Sequence, residues 1–179
     1  MKLVGCIFLL SVAHISNWPA ASGLLSGVVL QKQNKQLDIF IDSIAGNLSN
    51  RCQSCIFYTS IDFQEQIAYS CILKQDGSNV KGTKLKITEK QISSIPIRNQ
   101  FLAKGKDLIQ DFFRNSNQYL SEQFDDGSKI EISHDNRMFF FAKVNGRIVY
   151  KGYFYRSHYL KSGNQKIKHL FLKLDSLAD

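Results

Sequence analysis

The chain has 179 residues, a net charge of +8, 13 Phe, 7 Tyr and only two Pro. That aromatic content excludes a disordered polymer, and the absence of a Pro-, Gly- or Ser-rich stretch excludes an internal linker. The excess of Lys and Arg points to polyanionic partners, or to a solvated surface that keeps the protein soluble.

The amino-terminal residues read as a secretory signal peptide. Lys2 gives the positive start, residues 3–15 form an apolar run, Asn17-Trp18-Pro19 breaks it, and Ala20-Ala21-Ser22-Gly23 supplies a small-residue cleavage site. An uncut anchor would place Asn17 and Pro19 in mid-bilayer, and the apolar run is shorter than the ~20 residues a spanning helix needs. The expected organisation is a signal over residues 1–22 and one secreted α+β domain over 23–179, with no membrane span in the mature form.

Residues 29–47 carry Leu30, Leu37, Ile41 and Ile44 on one helical face that Leu48 continues, with Lys32, Lys35 and Asp38 turned outward. The segment Leu37-Asp38-Ile39-Phe40-Ile41 could instead begin a strand; the helix is favoured. At its end Asn47-Leu48-Ser49 is a glycosylation sequon, which makes Asn47 a candidate glycan site.

Cys6 leaves with the signal, so the mature chain holds an odd set: Cys52, Cys55 and Cys71. Cys52-Gln-Ser-Cys55 has redox spacing, but β-prone residues follow it where a redox pair needs a helix N-terminus. Three cysteines without a nearby His also fall short of a zinc site. Folding 55–61 against 65–73 about Asp62-Phe63-Gln64 sets Phe57 opposite Tyr69 and Cys55 opposite Cys71. A Cys55–Cys71 disulfide is therefore expected, with Cys52 free or bridging a second chain into a dimer.

Asp76-Gly77 marks a turn, and residues 82–89 alternate as a half-exposed strand. Residues 99–113 return to helical spacing through Phe101, Leu102, Leu108, Ile109, Phe112 and Phe113, weakened at Gly105 and stopped at Asn115-Ser116-Asn117. The last third reads as a β-meander of strands at 129–133, 137–144, 147–156 and 166–174. Asn145-Gly146 is its strongest turn, suited to positive φ at both central residues. That turn sets Val144 opposite Arg147, Ala142 opposite Val149, Phe140 opposite Lys151 and Met138 opposite Tyr153. The fold expected is α+β, with two amphipathic helices packed on an antiparallel sheet that ends in a C-terminal β-meander. This order resembles small secreted α+β modules such as the cystatins, but the Gln-x-Val-x-Gly loop that carries protease inhibition there is missing. No function is carried over from that likeness.

Ten Lys or Arg lie between residues 129 and 173, opposed by only Glu131 and Asp135. Lys143, Arg147, Lys151 and Arg156 flank the Asn145-Gly146 hairpin and are the candidate binding residues. The function expected is a secreted, non-enzymatic binding protein whose partner is an extracellular protein or a polyanion such as a sulfated glycan. The secretory route argues against nucleic acid. One alternative is a ribonuclease-like hydrolase using His134 or His158, with His169, Lys151, Lys166 and Asp135 as further candidates. Another is a carrier of a small apolar ligand. The sequence holds no catalytic motif, metal-ligand spacing or Gly-rich phosphate loop, and no cofactor is expected.

Overall fold

The computed structural model describes residues 19–62, 64–120 and 136–179. In chain order these form α1 (Pro19–Arg51), β1 (Cys55–Asp62), β2 (Ile67–Asp76), β3 (Asn79–Thr88), β4 (Ile92–Pro96), α2 (Asn99–Ala103), α3 (Lys106–Tyr119), β5 (Arg137–Val144), β6 (Arg147–Tyr155), α4 (Arg156–Lys161) and α5 (Gln165–Ala178). The strands make one antiparallel sheet in the order β4-β3-β2-β1-β5-β6. The α+β class is the one the periodicity predicts. Most of the predicted signal and the predicted strand at 129–133 lie outside the described residues, and α1 runs through the predicted cleavage region. Among the described residues no helix is long and apolar enough to cross a membrane.

β1 lies inside the sheet and is covered on both faces, which is why Cys55 through Thr59 read as one continuous buried run. Alternation sends Cys55, Phe57 and Ile61 towards α1, where Leu37, Ile41, Ala45 and Leu48 form its inner stripe. The same alternation sends Ile56 and Tyr58 to the opposite core, built with Ile109 and Phe112 of α3 and with Ile167, Leu170, Phe171 and Leu174 of α5. Residue 38 departs from the outward position its spacing predicts. Asp38 is half-buried and accepts from Arg137 at 2.9 Å, which ties α1 to β5.

Further predicted details are corrected. The segment 166–174 is helical, not a strand. Ile167, Leu170, Phe171, Leu174, Leu177 and Ala178 are its buried residues, and their spacing is that of a helix. Asn164 Oδ1 caps it by accepting from the backbone N–H groups of Lys166 and Ile167. Ser162-Gly163-Asn164 is thus a helix start and not a strand turn.

The β1–β2 loop is longer than the three residues expected. Asp62 pairs with Ile67, Asp62 Oδ1 accepts from the N–H groups of Gln64 and Glu65, and Gln66 takes φ +54°. Tyr58 therefore faces Cys71, Cys55 faces Lys74, and the Ser70 hydroxyl donates to Thr59 Oγ1 at 3.0 Å. The single helix predicted over 99–113 is broken at Gly105, where a Cβ would collide with the Lys173 side chain. α3 then continues to Tyr119 across a kink at Asn115.

The Asn145-Gly146 turn forms as predicted, with φ +49° and +80°. Beyond it the pairing slips by one residue at an irregularity next to Ala142 and Lys143, so Gly152 faces Phe140, Lys151 faces Phe141 and Phe154 faces Met138. An unbulged ladder would drive Lys151 into the α5 core. The slip places Phe154 there instead.

Phe171 is the centre of that core. Its ring meets those of Tyr58, Phe140, Phe154 and Tyr159 at centroid distances of 5.9, 5.0, 4.9 and 5.3 Å. Phe171→Ala should lower unfolding free energy by about 3–5 kcal/mol in urea titration. A loss below about 1 kcal/mol would show that α5 is not packed as described.

Candidate functional site

The four cations predicted to act together are divided by the fold. Lys143 Nζ donates to the Ser49 carbonyl at the end of α1, at 2.5 Å. Lys151 pairs with Asp42 of α1 at 3.0 Å. Arg156 pairs with Asp175 of α5, on the other side of the sheet, at 3.4 Å. Arg147 is exposed at the start of β6. The hairpin does not present a single cationic patch, because its charges hold the helices on either side. The aromatics interleaved with them are also engaged: Arg137 stacks on Tyr153, 3.9 Å from its ring centre, and Tyr153 packs on Phe139.

A different basic cleft appears where β3 meets α2 and α3. It has a volume of about 340 Å³ and is lined by Asn79, Val80, Lys81, Asn99, Leu102, Ala103 and Lys106. Beside it, Gly82 packs closely: a Cβ there would sit 2.8 Å from the Ile97 side chain and 3.1 Å from that of Leu102, which would have to shift. The Ile97 N–H donates to the Gly82 carbonyl at 2.9 Å, which brings Asn99 beside Asn79 and Lys81. Behind it, Lys173 Nζ donates to the Phe101 carbonyl. Burial first, and the like charge of Lys104 second, hold the Lys173 ammonium below the usual lysine range. α3 begins at Gly105 without a side-chain cap.

Of these cleft residues only Leu102 was singled out from the sequence, and that as a core position of a helix. They lie in two separated stretches, and the strand β4 that joins them is a five-residue exposed edge with no alternation to betray it.

The cysteines and histidines also find their places. Cys52, Cys55 and Cys71 are all buried thiols, so the Cys55–Cys71 disulfide is not formed. The observed register puts those two on opposite faces of the sheet. The Cys71 thiol donates to the Leu174 carbonyl at 3.7 Å, and burial pushes it up from its ordinary pKa. His134 lies outside the described residues. His158 stands edge-on to Tyr155 on α4, and His169 is exposed on α5. The lysines proposed to assist them are held elsewhere: Lys166 meets Asp111 and Gln118 beside α3, whereas Lys151 meets α1. Among the described residues no group of three or more His, Cys, Asp or Glu could hold a metal ion. Asn47 is exposed in the last turns of α1, its amide donating to the Ser43 carbonyl. No protein-family model, curated protein or solved structure matches the chain.

Asp111 braces α3 internally and ties it to α5 through Lys166. It accepts from the Tyr119 hydroxyl at 2.6 Å and the Asn115 amide at 2.7 Å, with Lys166 at 3.4 Å. The hydrogen bond from Tyr119 first, then that from Asn115, hold its carboxyl below the usual range. A depressed folded pKa adds stability that is complete above the unfolded value and lost as pH falls through the folded one. Stability should therefore decline below about pH 4, and Asp111→Asn should flatten that decline in acid titrations of the unfolding midpoint. Parallel acid limbs for the two proteins would contradict this assignment.

Proposed function

We propose that this chain is an exported, non-enzymatic binding protein whose partner is polyanionic, with sulfated glycan as the favoured class, and that the anion is taken at the β3–α2–α3 cleft. The observation that carries the reading is the cleft's lining. Two lysines and two asparagine amides stand over a floor of Val80, Leu102 and Ala103, and no acidic side chain lines it. Ammonium and amide N–H groups supply donors to sulfate oxygens, and the apolar floor excludes water from one side of the contact. Exposed Arg98 and Lys104 continue the positive surface along the chain on either side of α2.

The predicted hairpin surface is a weaker candidate, because Lys143, Lys151 and Arg156 already have intramolecular partners. An anion would have to displace a carboxylate to reach two of them. Export from the cell agrees with the amino-terminal signal pattern, and it places sulfated glycans within reach.

Retention on a heparin matrix tests the reading. Lys81→Glu with Lys106→Glu should elute at distinctly lower salt and bind at least about tenfold more weakly, since each lysine contributes a charged hydrogen bond. Arg147→Glu with Lys151→Glu changes net charge equally and should shift elution less. Thermal stability of the first pair should stay near that of the unaltered protein, because both lysines are exposed. A larger shift for the hairpin pair, or no shift for either, would overturn the cleft as the site.

A further inference from the structure

The turn between α1 and β1 carries the second inference, and it stands apart from the anion-binding reading. Cys52 and Cys55 are 8% and 0% exposed and face the same core, between α1 and the sheet. Their thiols are near neighbours within that core. The turn that joins them is fixed from several directions. The Cys52 N–H donates to the Leu48 carbonyl at 3.0 Å, which holds Cys52 to the last turn of α1. The Gln53 carbonyl accepts from the Gly146 N–H at 2.8 Å, and the Ser54 carbonyl accepts from the Gln75 N–H at 3.0 Å. Ser54 Oγ accepts from the Asn145 N–H at 3.0 Å. Both hairpin ends therefore hold the turn in the shape that brings the two sulfurs together. Cys71 has no part in it, being on the opposite face of the sheet with its thiol on the Leu174 carbonyl.

We propose that Cys52 and Cys55 close into an intramolecular disulfide that staples the end of α1 to the start of β1, leaving Cys71 as a permanently buried thiol. Cys52, the more accessible of the two, attacks one sulfur of a small-molecule disulfide such as oxidised glutathione and releases one glutathione thiolate. Cys55 gives its proton to solvent and attacks the Cys52 sulfur, releasing the second glutathione. The two cysteines lose two electrons and two protons, and one glutathione disulfide becomes two thiols. Burial first, and the neighbouring Cys52 thiol second, push the Cys55 thiol up from its ordinary value, so closure accelerates as pH rises. The bond serves as a structural staple: Cys52 follows a helix end, whereas the leading cysteine of a redox catalyst opens a helix. It also resolves the odd count of thiols without a second chain.

Peptide mapping after equilibration with oxidised glutathione tests the proposal. All three cysteines share one tryptic peptide, because no Lys or Arg lies between Arg51 and Lys74. Chymotrypsin, cutting after Phe57 and Tyr58, separates Cys71 from the pair. The peptide with Cys52 and Cys55 should be two hydrogens lighter and should resist alkylation until reduced, while Cys71 alkylates on denaturation. Cys71→Ser should leave that peptide unchanged, and Cys52→Ser should leave Cys55 alkylatable. A link from either residue to Cys71, a Cys52-linked dimer, or full alkylation of both at saturating oxidant would overturn it.

Discussion

One carboxylate governs the helical side of this fold. Asp175 of α5 has a side chain only 13% exposed and accepts from Tyr58 of β1 at 2.5 Å and from Tyr159 of α4 at 2.7 Å, with Arg156 at 3.4 Å. A carboxylate at that depth costs several kcal/mol unless its oxygens are satisfied. The satisfaction here comes from two different elements, β1 and α4, so it fixes both the rotation and the height of α5 over the sheet. Rotating α5 by one residue would carry the carboxylate away from both hydroxyls. One turn earlier, Phe171 enters the aromatic core, and the Leu174 carbonyl meets the Cys71 thiol. The opposite edge of the same turn carries Lys173 to Gly105 and the Phe101 carbonyl, where it spaces α2 from α3. The basic cleft thus inherits its shape from a contact in the middle of the sheet.

The two faces of the sheet treat charge differently. Towards α1, cations of β5 and β6 are matched to Asp38 and Asp42 and act as ties between helix and sheet. On the opposite side a lysine and an arginine meet Asp111 and Asp175, while Lys81 and Lys106 line a cleft without acidic residues. The excess charge of the chain is therefore not spread as its sequence positions imply. Among the described Lys and Arg between 137 and 173, Arg137, Lys143, Lys151, Arg156, Lys166 and Lys173 have partners within the molecule, and the cations lining the cleft come from elsewhere.

Sequence patterns reached the class of fold, α1, the Asn145-Gly146 turn and the paired strands beside it, because each has a local cause. The α1 stripe repeats at helical spacing, and Asn-Gly is built for positive φ at both positions. The failures have a common physical origin in parity. An extra loop residue after Asp62 moved Cys55 to the other face from Cys71, and one irregularity near Ala142 exchanged the places of Tyr153 and Phe154. A side-chain carboxylate and a bulge make those shifts, and neither leaves a hydrophobic period to read. α5 was legible in principle: its apolar spacing and the cap at Asn164 both favour a helix over the alternating reading of 166–174. The cleft was not, since it forms where β3 meets α2 and α3, a long-range meeting that leaves no local period to read.

Hydrogen exchange on Asp175→Asn tests most directly whether the buried carboxylate governs this side of the fold. Losing charge-assisted bonds from two buried hydroxyls should lower the opening free energy by roughly 2–3 kcal/mol. If Asp175 sets the position of α5, amides of α4, α5 and the α2–α3 junction should lose protection together, while the β2–β3 hairpin keeps its own. Loss confined to the last turn of α5, or unchanged protection throughout, would contradict the account.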